Sequence, residues 1–235
     1  MIKSFIKIFF ILIATLFWAS VAFISTPINY KGKITDFVAK NWSRNLLAIS
    51  FIKTKIIGIE NIKDNQNYIY ISNHSSLFDI LIALATIPSN IRFVAKKQLF
   101  YIPIFGWSMW SAGYISVDRS RGIKAMRSIE KAATRIRNGL SVIMFAEGTR
   151  SKDGAIQPFK RGPFLLASKT RVPIVPVTIN GADKILPKNT LRLSGGTVEV
   201  VFGEQIPTLN IESKNDELEL LEKVRNVIIK NKKSV

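Results

Sequence analysis

The rhythm of apolar and polar positions changes several times along this chain. Lys3 and Lys7 precede a run from Ile8 to Ile24 with no charged residue. The run carries Phe9, Phe10, Phe17 and Trp18 and is apolar on every side, unlike an ordinary surface helix. Coiled as a helix it is roughly 26 Å long, marginal against a hydrocarbon layer of about 30 Å. Three readings fit: a spanning helix with snorkelling flanks, a helix dipping into one leaflet, and a signal peptide with Ser20-Val21-Ala22 near its cleavage point. The retained anchor, spanning or dipping, is the one carried forward. Pro27 and Gly32 then interrupt the helix, and a helical pattern resumes from Asp36 to Lys53. There Phe37, Trp42, Leu46, Leu47 and Ile49 interleave with Lys40, Arg44 and Lys53. Such a segment suits a headgroup interface; it equally suits a helix packed on the core.

From Ile56 onward the pattern alternates between β-rich runs and helical spacing. Strands are expected over Tyr68–Ser72, Ile91–Ala95, Tyr114–Val117, Val142–Phe145, Ile174–Ile179 and Thr197–Phe202. Helices are expected over Leu77–Thr86, Arg121–Asn138, Gly162–Thr170 and Ser213–Lys230. The last opens with Ser213 and Asp216 in capping-box spacing and carries a stripe of Leu218, Leu221, Val224 and Ile228. Strand alternating with helix predicts an α/β fold: a single mixed sheet flanked by helices, behind an N-terminal membrane-associated helical segment. The expected division is residues 1–54 as hydrophobic anchor and basic amphipathic helix, and 55–235 as the catalytic domain.

Composition sharpens this picture. The 235 residues carry 34 Lys and Arg against 16 Asp and Glu, a net charge of +18. So large an excess implies a polyanionic partner, nucleic acid or an anionic lipid surface. In the first 55 residues the basic side chains face one acid, Asp36, and sit beside the apolar run, which favours lipid and argues against nucleic acid. Lys124, Arg127, Lys131 and Arg135 recur at helical spacing opposite Ile123, Met126, Ile129, Ala133 and Ile136. That stripe is either a solvated face or one resting on anionic headgroups. The chain has no cysteine and one histidine. Disulfides, thiolate nucleophiles and Cys/His zinc sites are excluded, and any mechanism that needs an imidazole has one candidate.

That candidate is His74, in Ser72-Asn73-His74-Ser75-Ser76-Leu77-Phe78-Asp79. The segment follows a strand and opens a helix, so His74 belongs at a strand's carboxyl end, where open α/β sheets place their sites. A neutral imidazole accepts a proton near neutral pH, and a carboxylate on its other nitrogen fixes the tautomer. Asp79 is spaced to reach back to His74. No Gly-x-Ser-x-Gly elbow supports Ser75 or Ser76 as a nucleophile.

His74 and Asp79 match the His-x4-Asp motif of the glycerolipid acyltransferases, and three further blocks follow in the family's order. Phe93 to Trp107 resembles the second, Phe145-Ala146-Glu147-Gly148-Thr149-Arg150-Ser151 the third, and Val172-Pro173-Ile174-Val175-Pro176-Val177 the fourth. Val117-Asp118-Arg119 and Phe159-Lys160-Arg161-Gly162 also resemble family segments. The resemblance covers about residues 42 to 205 and is nearest to the bacterial 1-acyl-glycerol-3-phosphate (lysophosphatidate) acyltransferases. It departs from the pattern at Ala146, where proline is usual, and at Gln98, where glutamate is common.

The resemblance implies that His74 deprotonates the sn-2 hydroxyl of lysophosphatidic acid, that Asp79 orients His74, and that the oxygen attacks an acyl thioester of coenzyme A or acyl carrier protein. Phosphatidic acid is then formed in phospholipid biosynthesis. It implies substrate binding at Lys96, Lys97, Glu147, Gly148, Thr149 and Arg150, with Arg150 gripping phosphate and Glu147 holding Arg150 or a glycerol hydroxyl. No metal and no bound cofactor are expected. Acceptors left open are another lysophospholipid, glycerol-3-phosphate and a lyso-aminolipid. The expected place is a bacterial inner membrane with the site on its cytoplasmic side, in contact with anionic lipids.

Overall fold

The computed structural model describes residues 2–25, 33–102, 105–118 and 123–233. Pro27, Gly32, Pro103, Ile104, Arg119 and Arg121, which carried sequence expectations, lie outside them. Seven strands form one sheet: β1 (Ile52–Ile57), β2 (Ile69–Ser72), β3 (Ile91–Lys96), β4 (Ile115–Val117), β5 (Ser141–Phe145), β6 (Ile174–Asn180) and β7 (Gly196–Phe202), in the order β1-β7-β6-β2-β5-β3-β4. All neighbours pair in parallel except β6 and β7. The sheet is therefore mixed, as expected. The five strands from β6 to β4 run the same way and end on one edge of the sheet.

The sequence explains why β2 and β6 are central. Every residue of Ile69–Ser72 and of Ile174–Asn180 is buried, as suits near-continuous apolar runs covered on both faces. Side chains alternate between two cores. Tyr68 and Tyr70 point into one, shared with α2 (Lys33–Ile49) and α3 (Phe78–Thr86). Ile69 and Ile71 point into the other, shared with α5 (Ile123–Arg137), α6 (Gly162–Thr170) and α8 (Lys214–Asn231). Short α4 (Phe105–Ser111) and α7 (Ala182–Ile185) complete the set.

Several expectations need correction. The helix drawn from Asp36 to Lys53 ends at Ile49, and Lys53 lies in β1. Phe51 stands between them with φ 58°, a left-handed residue that reverses the chain. Of the two readings of α2, core packing accounts for Val38, Ser43, Leu46 and Leu47, all buried. In α5, Ala132, Ala133 and Ile136 are buried, whereas Ile123 and Met126 are exposed. In α8, Leu218 faces out and Leu220 in, and Glu217 is buried, paired with Arg161 and bonded by the Ser168 hydroxyl. The capping box is present: Asp216 N–H donates to Ser213 Oγ (3.1 Å) and Ser213 N–H to Asp216 Oδ2 (2.7 Å).

Helix α1 (Ile2–Ser25) is long and apolar enough to cross a membrane. Its first half is tied to the domain. Leu193 N–H donates to Ser4 Oγ (3.2 Å), Lys7 Nζ to the Ser50 carbonyl (3.1 Å), and Trp42 Nε1 to Thr15 Oγ1 (3.2 Å). Ile8, Ile11 and Ala14 pack on the core. The other side of α1 leaves Phe9, Leu12, Leu16 and Phe17 exposed. An ion pair between Arg92 and Asp36 fastens α2 to β3.

Candidate active site

The site lies at the carboxyl edge of the parallel strands. β2 ends at Ser72, and the next residues leave the sheet in a loop that enters α3. Asn73 holds this loop's start against β6: its side chain donates to the Ile179 carbonyl (3.0 Å) and accepts from Ile179 N–H (2.9 Å). Ser76 Oγ holds the loop's end by donating to the Leu186 carbonyl (2.9 Å). His74 sits between these two fixed points.

Asp79, fully buried in the first turn of α3, gathers the loop around one oxygen. His74 Nδ1 lies 2.8 Å from Asp79 Oδ2, and the backbone N–H groups of Ser75 (2.7 Å) and Ser76 (2.8 Å) donate to that same oxygen. A carboxylate oxygen so placed receives the proton on Nδ1, which leaves Nε2 as the imidazole's acceptor. Among the described residues Nε2 has no hydrogen-bond partner, and the side chain is 14% exposed. The Phe145 ring lies flat on the imidazole, centroids 4.0 Å apart and planes 10° from parallel, and Phe93 stacks on Phe145. Ring plane, tautomer and backbone of His74 are thus each set by a separate contact.

The loop after β5 completes the frame. Gly148 turns with φ 74°, a conformation that favours glycine. Glu147 is buried, and its carboxylate spans two chain segments: His74 N–H donates to Oε1 (2.7 Å) and Gln157 N–H to Oε2 (3.1 Å). Burial pushes this carboxyl up to about 7 against the pull of those two donors. Ser151 N–H returns a bond to the His74 carbonyl (2.8 Å). Each Glu147 oxygen thus accepts one backbone N–H, and one of the two donors is that of His74 itself. Among the described residues Arg150 has no ion pair with Glu147 or Asp153. Asp153 is occupied by Ser151 Oγ (2.8 Å) and Ala155 N–H (3.1 Å). Arg150 is half-buried, its guanidinium has no partner among the described residues, and Lys188 Nζ donates to its carbonyl (2.6 Å).

Lys96 closes β3 on the same edge and Lys97 follows it, both exposed, with the Lys97 ammonium 5.8 Å from the Tyr101 ring centroid. Thr149 is exposed between Gly148 and Arg150. The topology therefore brings all the expected residues to one sheet edge. Among the described residues, side-chain hydrogen bonds join His74 to Asp79 and to Glu147, and Thr149 Oγ1 donates to the Arg150 carbonyl (3.2 Å). Sequence reasoning missed Phe145 as the ring's platform, Asn73 and Gln157 as braces, and Lys188. The strand-end position of Phe145 was the one available signal. Among the described residues no group of acids and histidine could hold a metal ion.

A family model described as Acyltransferase matches residues 53–180. The chain is 35% identical over 194 residues to the chloroplastic 1-acyl-sn-glycerol-3-phosphate acyltransferase BAT2 of Brassica napus, covering 80% of this chain and 56% of that protein. It is 32% identical over 212 residues to the 1-acyl-sn-glycerol-3-phosphate acyltransferase of Limnanthes douglasii, covering 89% and 74%. The chain spans about half the length of the first curated relatives it matches, between 47% and 56%. Among solved structures, the 1-acyl-sn-glycerophosphate (LPA) acyltransferase PlsC from Thermotoga maritima superposes with a TM-score of 0.81 at 26% identity, covering 97% of this chain and 94% of that one.

Proposed function

This chain belongs to the acyltransferase family, and on that premise we propose that it transfers a fatty acyl group from a thioester to the sn-2 hydroxyl of 1-acyl-glycerol-3-phosphate, forming phosphatidic acid. One observation carries the mechanism: His74, the chain's one imidazole, has Nδ1 committed to a buried carboxylate and Nε2 without a partner among the described residues. Nε2 takes the hydroxyl proton as the oxygen attacks the thioester carbonyl. Asp79 stabilises the imidazolium that forms, and the face of Phe145 supports the same positive charge. The tetrahedral intermediate collapses with loss of the thiolate, which takes up the proton. Glu147 serves as the brace that keeps the His74 backbone in place.

Arg150, Thr149 and Gly148, with Lys96 and Lys97, bind the acceptor, Arg150 supplying a planar fork for its phosphate. The donor is acyl-coenzyme A or acyl-acyl carrier protein. Residues 1–54 form the anchor and basic helix, and 55–235 the acyltransferase domain, with β1 straddling the boundary. Apolar α1 keeps the enzyme on a bacterial inner membrane among anionic lipids, its site on the cytoplasmic side where thioester donors are made. The test is a panel of acceptors offered with either donor: lysophosphatidic acid, a second lysophospholipid, glycerol-3-phosphate and a lyso-aminolipid. Lysophosphatidic acid is expected to give the highest kcat/KM. A higher value for a phosphate-free acceptor contradicts the reading.

A further inference from the structure

The segment that leaves β3 at the site edge carries three exposed aromatic side chains within ten residues, Tyr101, Trp107 and Trp110. A 3-10 turn, Lys97–Tyr101, leads toward α4, and α4 packs against both that turn and α1. Within α4 the inward positions are Gly106 and Met109, both buried. Gly106 is obligatory there, since a Cβ would lie 2.2 Å from the Phe100 carbonyl oxygen. The outward positions, three residues apart on one helical face, are Trp107 and Trp110, which are 65% and 79% exposed. Tyr101 and Ile102 are exposed beside them, with Lys96 and Lys97 on the rim.

Two indoles held in water carry a hydrophobic cost that the fold could avoid with polar residues at the same positions. Trp is the side chain that suits the boundary between headgroups and acyl chains, where its ring is sheltered and its N–H stays wet. Lysine at the rim matches anionic headgroups. The helix that carries the patch packs against α1, whose outward side is also apolar. We propose that α4, through Trp107 and Trp110, is a second membrane contact that enters the headgroup layer of the leaflet holding α1. It rests on the reading of α1 as the anchor and adds what one helix cannot supply. With α1 fastened to the domain, a single membrane contact leaves the tilt of the whole body against the bilayer open, whereas two contacts fix the sheet's site edge relative to it.

The absence of cysteine lets a single spin label be placed at will. Full-length chains carrying Phe9→Cys, Trp107→Cys, Trp110→Cys or Lys131→Cys are labelled and bound to vesicles of phosphatidylglycerol and phosphatidylethanolamine. Collision with oxygen, which concentrates in lipid, is compared with collision with a water-soluble nickel chelate. Lys131 lies on α5 in the opposite helical layer and reports the water-facing side. On vesicle binding, nickel accessibility is expected to fall several-fold at 107 and 110, with oxygen accessibility rising, while 131 stays unchanged. Position 9 is expected to read deeper than either tryptophan position. Unchanged nickel accessibility at both 107 and 110, with 9 immersed, overturns the proposal and spares the anchor. Shielding of 107 and 110 from oxygen and nickel alike indicates a protein partner and also overturns it. Nickel access at 9 overturns the anchor itself.

Discussion

The His74 loop and helix α1 are held to the same domain by opposite means. Around His74 the contacts are polar, short and buried: Asp79 Oδ2 meets three nitrogen atoms within 2.8 Å, and Glu147 ties the loop to Gln157. Along α1 the polar ties are few, at Ser4, Lys7 and Thr15, and nearly the whole outward surface is exposed hydrocarbon. A site that moves a proton needs one geometry, and hydrogen bonds away from water enforce direction. Retention at a bilayer needs area, and apolar contact supplies it without direction. The difference teaches which substitutions change chemistry and which change only where the protein resides.

The sharpest break in this contrast is at the base. His74→Ala is expected to lower kcat by at least about 10² while circular dichroism and vesicle binding stay at wild-type levels. Asp79→Asn is expected to be nearly as severe, because an amide on Nδ1 no longer selects the tautomer that leaves Nε2 free. Wild-type turnover in folded His74→Ala contradicts the assignment, since no second histidine exists.

Arg150 comes next. Its guanidinium, without a partner among the described residues, predicts that Arg150→Ala raises KM for the phosphorylated acceptor roughly 10- to 100-fold, the worth of a charged hydrogen-bond pair. Arg150→Lys is expected to recover little, because an ammonium cannot reproduce the bidentate grip. An equal loss with a phosphate-free acceptor tells against a phosphate contact.

Glu147 sharpens the contrast, being a buried carboxylate used as structure. Glu147→Ala strips the acceptor from two backbone N–H groups, at about 1–3 kcal/mol for each one left buried, and melting temperature reads the loss. Its raised value also fixes a sign. The folded protein holds this proton more tightly than the unfolded chain, so the contribution to stability is full at low pH. It declines as pH rises from the ordinary carboxylate range to about 7, and is level above that. The decline is expected in wild type and absent from Glu147→Gln, measured as stability against pH on both.

The smallest effect belongs to the α1–α2 joint. Trp42→Phe keeps the ring and loses the bond to Thr15, an expected cost of about 1 kcal/mol. Thermal unfolding is expected to shift by a few degrees with kcat unaltered.

How much of this was legible in the sequence depends on how local the cause is. β2 and β6 announce themselves as apolar runs, and Asp79 is close enough to His74 in sequence to be paired with it. β1 was missed because Ile52 and Lys53 continue a helical spacing that only the left-handed Phe51 breaks. Helix α4 was missed because it is short and its Gly106 is there for a close approach that no spacing reveals. Glu147 was placed in the right loop, but its bond to the His74 backbone was not foreseen. Its acceptor role beneath His74 joins groups 73 residues apart, which periodicity does not encode. Leu218 is exposed because the buried face of α8 runs through Glu217, Leu220, Leu221 and Val224, one position off the stripe the spacing suggests.

The most direct measurement follows both products of one reaction. Purified full-length protein on anionic vesicles is given an acyl thioester and lysophosphatidic acid, and free thiol and phosphatidic acid are quantified together. The account predicts that they accumulate in equal amounts and that thiol release nearly stops when the acceptor is left out. Thiol released at the same rate without acceptor, or with no phosphatidic acid formed, would contradict direct transfer to the hydroxyl that His74 deprotonates.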